Sequence, residues 1–278
     1  MKHVTETAAR ISSLEIQGAN AIAKAALRAL AEDLEEDPAQ DARRLAAPLK
    51  EARPNEPMTR NLIEAFLGKL GAAGEGGYLA VAEAMLEEVE RGEQAIAEAG
   101  AELVREGMTV FTHCHSSSAV SVLKHAHRQG RRFKVLNTET RPRFQGRLTA
   151  AELAAEGIEV VHMVDAAAKY ALDGADLFLF GADAVLPSGY LINKVGTGIF
   201  CVVASRYDVP TYCATHTLKV VRDRSDESVE RRDPVEVWPD APSGVLVFNP
   251  AFDKVHLKYV TAFITERGLL KDILSVDR

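Results

Sequence analysis

The grammar of the sequence changes once, at Gly107, and that change constrains the fold more than any single motif. Before it, Ile11, Leu14, Ile16, Ala19, Ile22, Ala23, Ala26, Leu27 and Leu30 recur at three- and four-residue steps, the mark of an amphipathic helix. The acidic run 32–37 and Pro38 close that helix, and further helices are expected over 39–51, 57–70 and 78–106, with a glycine-rich loop at 71–77 and Gly107 as a C-cap. After Gly107, short apolar runs alternate with helical stretches. Strands are expected at 108–111, 132–137, 160–164, 177–180, 211–214, 244–247 and 260–264, with helices at 149–156, from Asp165, and at 196–207. Such alternation needs crossover connections, which make strands parallel. The expected fold class is therefore α/β: an all-helical N-terminal domain over 1–107, then a Rossmann-like, doubly wound, mostly parallel sheet over 108–278.

Composition narrows the function classes. No window approaches the ~18 uncharged apolar residues of a membrane span, and the first residues lack the apolar core of a signal peptide. Cys114, Cys201 and Cys213 are too few for a disulfide framework, so a reducing cytoplasm is the expected setting. A net charge of −7 argues against a general nucleic-acid surface. An anionic small molecule would need its own cationic pocket. The charged, proline-bearing segment 222–242 reads as a surface excursion or an oligomer contact.

Four polar clusters fall at the ends of expected strands: 113–116 (His-Cys-His-Ser), 139–146 (Glu-Thr-Arg-Pro-Arg-Phe-Gln-Gly), 181–183 (Gly-Ala-Asp) and 193–197 (Asn-Lys-Val-Gly-Thr). The carboxyl ends of parallel strands share one edge, so these clusters can meet in one crevice. Cys114 lies at a strand-to-helix turn, where the helix field favours a thiolate. Asp183 follows an apolar strand that should raise its pKa and keep it an acid near neutral pH, although a helix cap is an equal reading. Arg141, Arg143, Lys194 and the N–H groups of Gly196 and Thr197 suit phosphate, and Gln145 suits a sugar hydroxyl. Cys201 and Cys213 read as packing. His113, Cys114 and His115 are adjacent on an extended backbone and point to opposite faces, so they do not form a metal site. No dinucleotide fingerprint and no P-loop is present, and no cofactor is expected. A Cys–His–Asp hydrolase remains open on residue types alone, but gives two arginines no use.

These motifs, with Asn249-Pro250-Ala251-Phe252-Asp253 and 264–268 (Ile-Thr-Glu-Arg-Gly), resemble the family that joins ribose-1,5-bisphosphate isomerase, methylthioribose-1-phosphate isomerase and the regulatory subunits of translation initiation factor 2B. The archaeal ribose-1,5-bisphosphate isomerases look most similar. The resemblance implies an aldose–ketose isomerase with Cys114 and Asp183 as the catalytic pair. It extends the substrate-binding set to Gln17, Gly18, Arg53, His115, Ser116 and Asn193, beside Arg141, Arg143, Gln145, Lys194, Gly196 and Thr197. The chain departs from the isomerase pattern at Gln17, where an arginine is expected, and at 215–219. A binding-only regulatory subunit and a methylthioribose-1-phosphate isomerase are the alternatives. The residues leave hydride and enediol routes equally open. A sugar-phosphate substrate and a homo-oligomer, a dimer or a ring of dimers, are the implied partners.

Overall fold

In the computed structural model, residues 1–54, 56–73, 77–222 and 229–276 are described. Five helices come first: α1 (Lys2–Ser12), α2 (Ala19–Glu36), α3 (Ala42–Glu51), α4 (Pro57–Ala73) and α5 (Tyr78–Ala101). They bury one apolar cluster that includes Ile11, Leu27, Leu30, Leu49, Met58 and Phe66. The first amphipathic pattern is split in two. Leu14 and Gly18 adopt positive φ of 63° and 87°, so the chain turns between α1 and α2 without losing its apolar face. Periodicity alone does not register such a turn. Gly71–Ala73, expected in a loop, extend α4, while Asn55 and 74–76 lie outside the described residues. The helix expected to reach Glu106 stops at Ala101.

The remaining elements are β1 (Thr109–Thr112), α6 (Ser117–Arg128), β2 (Lys134–Thr138), α7 (Gln145–Ala155), β3 (Glu159–Met163), α8 (Ala168–Leu172), β4 (Leu177–Gly181), β5 (Ala184–Leu186), β6 (Tyr190–Lys194), α9 (Thr197–Arg206), β7 (Thr211–Ala214), β8 (Phe252–His256), β9 (Ala262–Thr265) and β10 (Gly268–Leu270). The large sheet has seven strands in the order β10-β9-β7-β4-β1-β2-β3, all pairs parallel except β9–β10. The fold is thus α/β, a helical N-terminal region followed by a mostly parallel sheet. Strand order reverses between β1 and β4, and ligands bind at the carboxyl side of such a switch point. Thr112 pairs with Asn137 and Leu179, which places the ends of β1, β2 and β4 side by side. Aromatic packing below that edge joins Phe111 to Phe178 (ring centroids 4.9 Å apart) and to Phe200 (5.6 Å, edge to face).

A second, antiparallel sheet, β5-β6-β8, has no counterpart in the sequence reading. Its strands are short, and β6 carries Asn193 and Lys194, which read as loop residues by polarity. The strand expected at 244–247 does not form. Both outer positions of the large sheet are taken by β10 and β3, the run pairs with neither, and Leu246 is 95% exposed. Part of the 222–242 excursion, residues 223–228, lies outside the described residues, and the remainder holds a short turn at Pro234–Glu236. Among the described residues no helix is long and apolar enough to cross a membrane.

Candidate active site

The carboxyl edge of the sheet and the start of α2 enclose a cavity of about 620 Å³. It is lined by ten of the expected site residues: Gln17, Gly18, Arg53, Cys114, His115, Ser116, Gln145, Asp183, Asn193 and Lys194. Cys114 and Asp183 therefore share one chamber. Each is placed by a different strand end, Cys114 by β1 and Asp183 by β4.

The turn after β1 is held from both sides. Cys114 has φ +67°, its N–H donates to Thr140 Oγ1 at 3.1 Å, and its carbonyl accepts from Thr149 Oγ1 at 2.8 Å. Left-handed backbone at a cysteine carries strain that these two bonds offset. Ser116 Oγ accepts from Ala119 N–H and caps α6. Gly181 lies against that cap. His113 is fully engaged, with Nδ1 paired to Thr138 Oγ1 at 2.6 Å and Nε2 to the Val195 carbonyl at 2.9 Å. Burial pushes its pKa down to about 4, so it is a neutral tie between β1, β2 and the turn after β6. It cannot serve as the base of a cysteine hydrolase, because neither nitrogen is free for the thiol.

Electrostatics at the cysteine run against expectation. Burial pushes the Cys114 thiol up to about 11 and outweighs Lys194 and the His115 backbone, which act in the opposite sense. The resting group is a thiol rather than the thiolate that the helix field suggested. Asp183 moves as expected: burial raises its pKa, opposed by Lys219, Lys194 and Arg53. It caps no helix, since it joins β4 to β5 and its N–H donates to the Ile192 carbonyl at 2.9 Å.

Four expected residues are not brought to the cavity. Arg141 donates to the Val237 carbonyl at 3.0 Å, and Arg143 pairs with Glu236 at 3.0 Å, so both arginines bind the 230–242 segment instead of ligand. The phosphate seat expected at Gly196 and Thr197 is filled by protein: Asp253 Oδ2 accepts from Gly196 N–H (2.8 Å) and Gly198 N–H (3.0 Å). Thr197 is buried, with its hydroxyl turned to the Lys194 carbonyl at 2.7 Å. A carboxylate supplied by the chain thus meets the helix end that an external anion would otherwise occupy.

Other groups do that work. Lys24, Lys219 and Arg232 join Arg53 and Lys194, which places five cations beside the three carboxyl groups Glu56, Glu93 and Asp183; Lys24 pairs with Glu93 (2.9 Å), Arg53 with Glu230 (3.1 Å) and Arg232 with Glu236 (3.4 Å). Three helices start on the cavity: α2 at Gly18, α6 at Ser116 and α7 before Gln145. For α2 no side chain caps the first turn, so its N–H groups are open to an anion, whereas in α7 the Gly146 and Arg147 N–H groups donate to the Glu139 (3.2 Å) and Phe144 (3.0 Å) carbonyls. The arrangement suits a phosphorylated molecule held over a thiol and an aspartic acid. Gly18 before an apolar helix was the available sign of the α2 terminus. Arg232 gave none, because its segment reads as surface. Among the described residues the one trio with metal-ligand geometry is His3, Asp33 and Glu36. None of it lines the cavity, and Asp33 already accepts the N–H groups of His3 and Val4.

Comparison with known proteins gives a consistent answer. Residues 15–272 match the Initiation factor 2 subunit family. Ribose 1,5-bisphosphate isomerase of Thermococcus kodakarensis is 36% identical, over all of this chain and 94% of that protein. Methylthioribose-1-phosphate isomerase of Desulforudis audaxviator is 37% identical, over 82% of this chain and 73% of that protein. Among solved structures, a translation initiation factor eIF-2B of Pyrococcus horikoshii superimposes with a TM-score of 0.82 at 27% identity, covering 97% of both chains.

Proposed function

This chain belongs to the initiation factor 2 subunit family, and from that premise we propose that it is an aldose–ketose isomerase of sugar phosphates, acting on ribose 1,5-bisphosphate to give ribulose 1,5-bisphosphate. The observation that carries this reading is the pairing of Cys114 with Asp183 in one cationic cavity. A binding-only protein has no need of a buried carboxylic acid beside a thiol. Five lining cations suit a substrate with two phosphates better than one with a single phosphate and an apolar tail, so methylthioribose 1-phosphate is the lesser candidate.

The chemistry explains the two groups. A sugar esterified at its anomeric oxygen has no free aldehyde, so its ring must be opened by acid. Asp183, whose pKa burial raises, gives a proton to the ring oxygen, and the C1–O bond breaks with its electron pair going to that oxygen. C1 becomes an oxocarbenium ion. The hydrogen on C2 then moves to C1 with its bonding pair, and the C2 hydroxyl loses its proton, by way of the Cys114 sulfur, to the Asp183 carboxylate. The ketose leaves with its C1 ester intact and the acid is restored. Lys24, Arg53, Lys194, Lys219 and Arg232 hold phosphate with the open α2 terminus, and Gln145 binds a hydroxyl.

Incubation with ribose 1,5-bisphosphate, followed by NMR for ribulose 1,5-bisphosphate, tests the reading. Cys114→Ser and Asp183→Asn should each lose ~10²–10⁴ in turnover while staying folded. A loss below about tenfold removes that residue from the mechanism. Binding without turnover in the unaltered protein would point to the regulatory-subunit reading. Self-association belongs to the same proposal, supported by Val245, Leu246 and Phe248 exposed in one segment. Light scattering that reports a single chain at micromolar concentration would count against it.

A further inference from the structure

The wall of the cavity beside Arg53 holds a carboxyl group where an anion site would ordinarily have none. Glu56 lines the cavity, is only 5% exposed, and its Oε2 has no hydrogen-bond partner among the described residues. Its Oε1 lies 4.0 Å from Arg53 Nη2, too far for a hydrogen bond. The wall is rigid. Asn61, on α4, donates to the carbonyls of Leu218 (2.8 Å) and Val220 (2.9 Å), which fixes the turn that carries Lys219. Lys219 in turn donates to the Ala182 carbonyl at 2.9 Å, next to Asp183. Glu56 thus faces Asp183 and Glu230, which oppose its ionisation, and Lys219 and Arg53, which favour it.

Burial decides the balance and pushes its pKa up to about 8. Arg53 already pairs with Glu230 at 3.1 Å, so an ionised Glu56 would put a second negative group beside Arg53 and Lys219 and repel phosphate. A neutral one does the reverse, because its hydroxyl is a donor aimed into a site otherwise built of donors.

We propose that Glu56 is a specificity-determining residue of this cavity: as a neutral acid it donates a hydrogen bond to a phosphate or sugar oxygen seated between Arg53 and Lys219, and on ionising it closes the site to anions. The inference rests on the sugar-phosphate reading of the cavity. It makes anion affinity fall with rising pH at a point where neither phosphate nor lysine titrates, since a phosphate monoester is already a dianion above pH ~7.

The test measures KM and kcat for ribose 1,5-bisphosphate, with its Kd by calorimetry, from pH 7 to 9. With the acid form falling to roughly a tenth at pH 9, KM and Kd of the unaltered protein should rise about tenfold while kcat changes less. Glu56→Gln keeps the shape and a donor but cannot ionise, so its KM and Kd should stay flat over that range. A flat profile in the unaltered protein, or the same rise in Glu56→Gln, overturns the inference. Because the first of these needs no variant, a folding failure of Glu56→Gln leaves the question decidable. Turnover with a flat profile removes Glu56 and spares the isomerase. Binding with the expected profile but no turnover supports Glu56 and removes the isomerase.

Discussion

Replacing Gly181 with alanine tests whether the β1 and β4 ends are built as one unit. An added Cβ would lie 2.2 Å from Ser116 Oγ and 2.7 Å from Ser116 Cβ. A flexible side-chain tip could swing aside, but the Cβ of Ser116 moves only with its backbone. The hydroxyl must leave the Ala119 N–H that it caps, or the turn carrying Cys114 must shift. Loss of the cap costs about 1 kcal/mol and overpacking about 1–3 kcal/mol, so the variant should lose roughly 2–4 kcal/mol. For a chain of this size that lowers Tm by roughly 5–15 °C. KM should rise as well, since both residues line the cavity. Thermal melts of Gly181→Ala, Ser116→Gly and the double variant complete a cycle. Removing the serine side chain makes room for the new methyl, so the double variant should lose only the cap, with a coupling of about 2–4 kcal/mol. Additivity within about 0.5 kcal/mol would refute the reasoning, because then the two residues do not compete for space.

Three further outcomes follow from the site. Alkylation of Cys114 should accelerate about tenfold per pH unit from pH 7 to 10, as expected for a thiol pushed up to about 11; a rate that levels off below pH 8 would contradict it. Arg143→Gln should change KM by less than about twofold, whereas Lys194→Met should raise it by at least about tenfold, because Arg143 is spent on Glu236 while Lys194 lines the cavity. Glu56→Gln should also alter stability. The folded chain holds the Glu56 proton more tightly than the unfolded chain, so that contribution is complete below about pH 4.5 and is lost as pH rises through about 8. The variant should therefore match the parent in Tm at pH 4.5 and exceed it at pH 9; a parent that is relatively more stable at pH 9 would reverse the sign.

Much of the fold was legible because strand–helix alternation is a local pattern. The strands expected at 177–180 and 211–214 form, the first buried along its whole length and the second at all but Tyr212. β5, β6 and β8 were not legible, since three to five residues give no period; β5 and β6 form a local hairpin, but β6 pairs with β8 some sixty positions on. The site divided along the same line. Cys114, Gln145, Asp183 and Lys194 follow strand ends or open helices, and topology carries them to one edge. Arg141 and Arg143 look equally suitable in sequence, but their partners at Val237 and Glu236 lie more than ninety residues on. The Gly196 terminus failed for a similar reason, because Asp253 arrives from β8 to fill it. Glu56 and Lys219 became site residues only through the Asn61 contacts, which no spacing rule anticipates.

The raised Cys114 pKa also bears on the two routes that the residue types left open, and favours the hydride route of the proposed mechanism. A helix N-terminus stabilises a thiolate only where the sulfur is near the open N–H groups and still solvated. Here the α6 terminus is capped by Ser116, the sulfur is buried, and the carboxyl groups of Asp183 and Asp165 oppose its ionisation. With the thiol near 11, about one chain in 10⁴ carries a thiolate at pH 7. An enediol route needs a base to remove the C2 proton, and with the Cys114 thiolate as that base its small population would add about 5 kcal/mol to the barrier. A hydride route asks only for an acid at the ring oxygen, and Asp183, whose pKa burial raises, is that acid. Conversion in deuterated water should then give a ketose whose C1 carries the hydrogen that began on C2, with solvent deuterium confined to exchangeable hydroxyls. One deuterium per molecule at C1 during early turnover would mean that a base does act at C2, and would refute the hydride route.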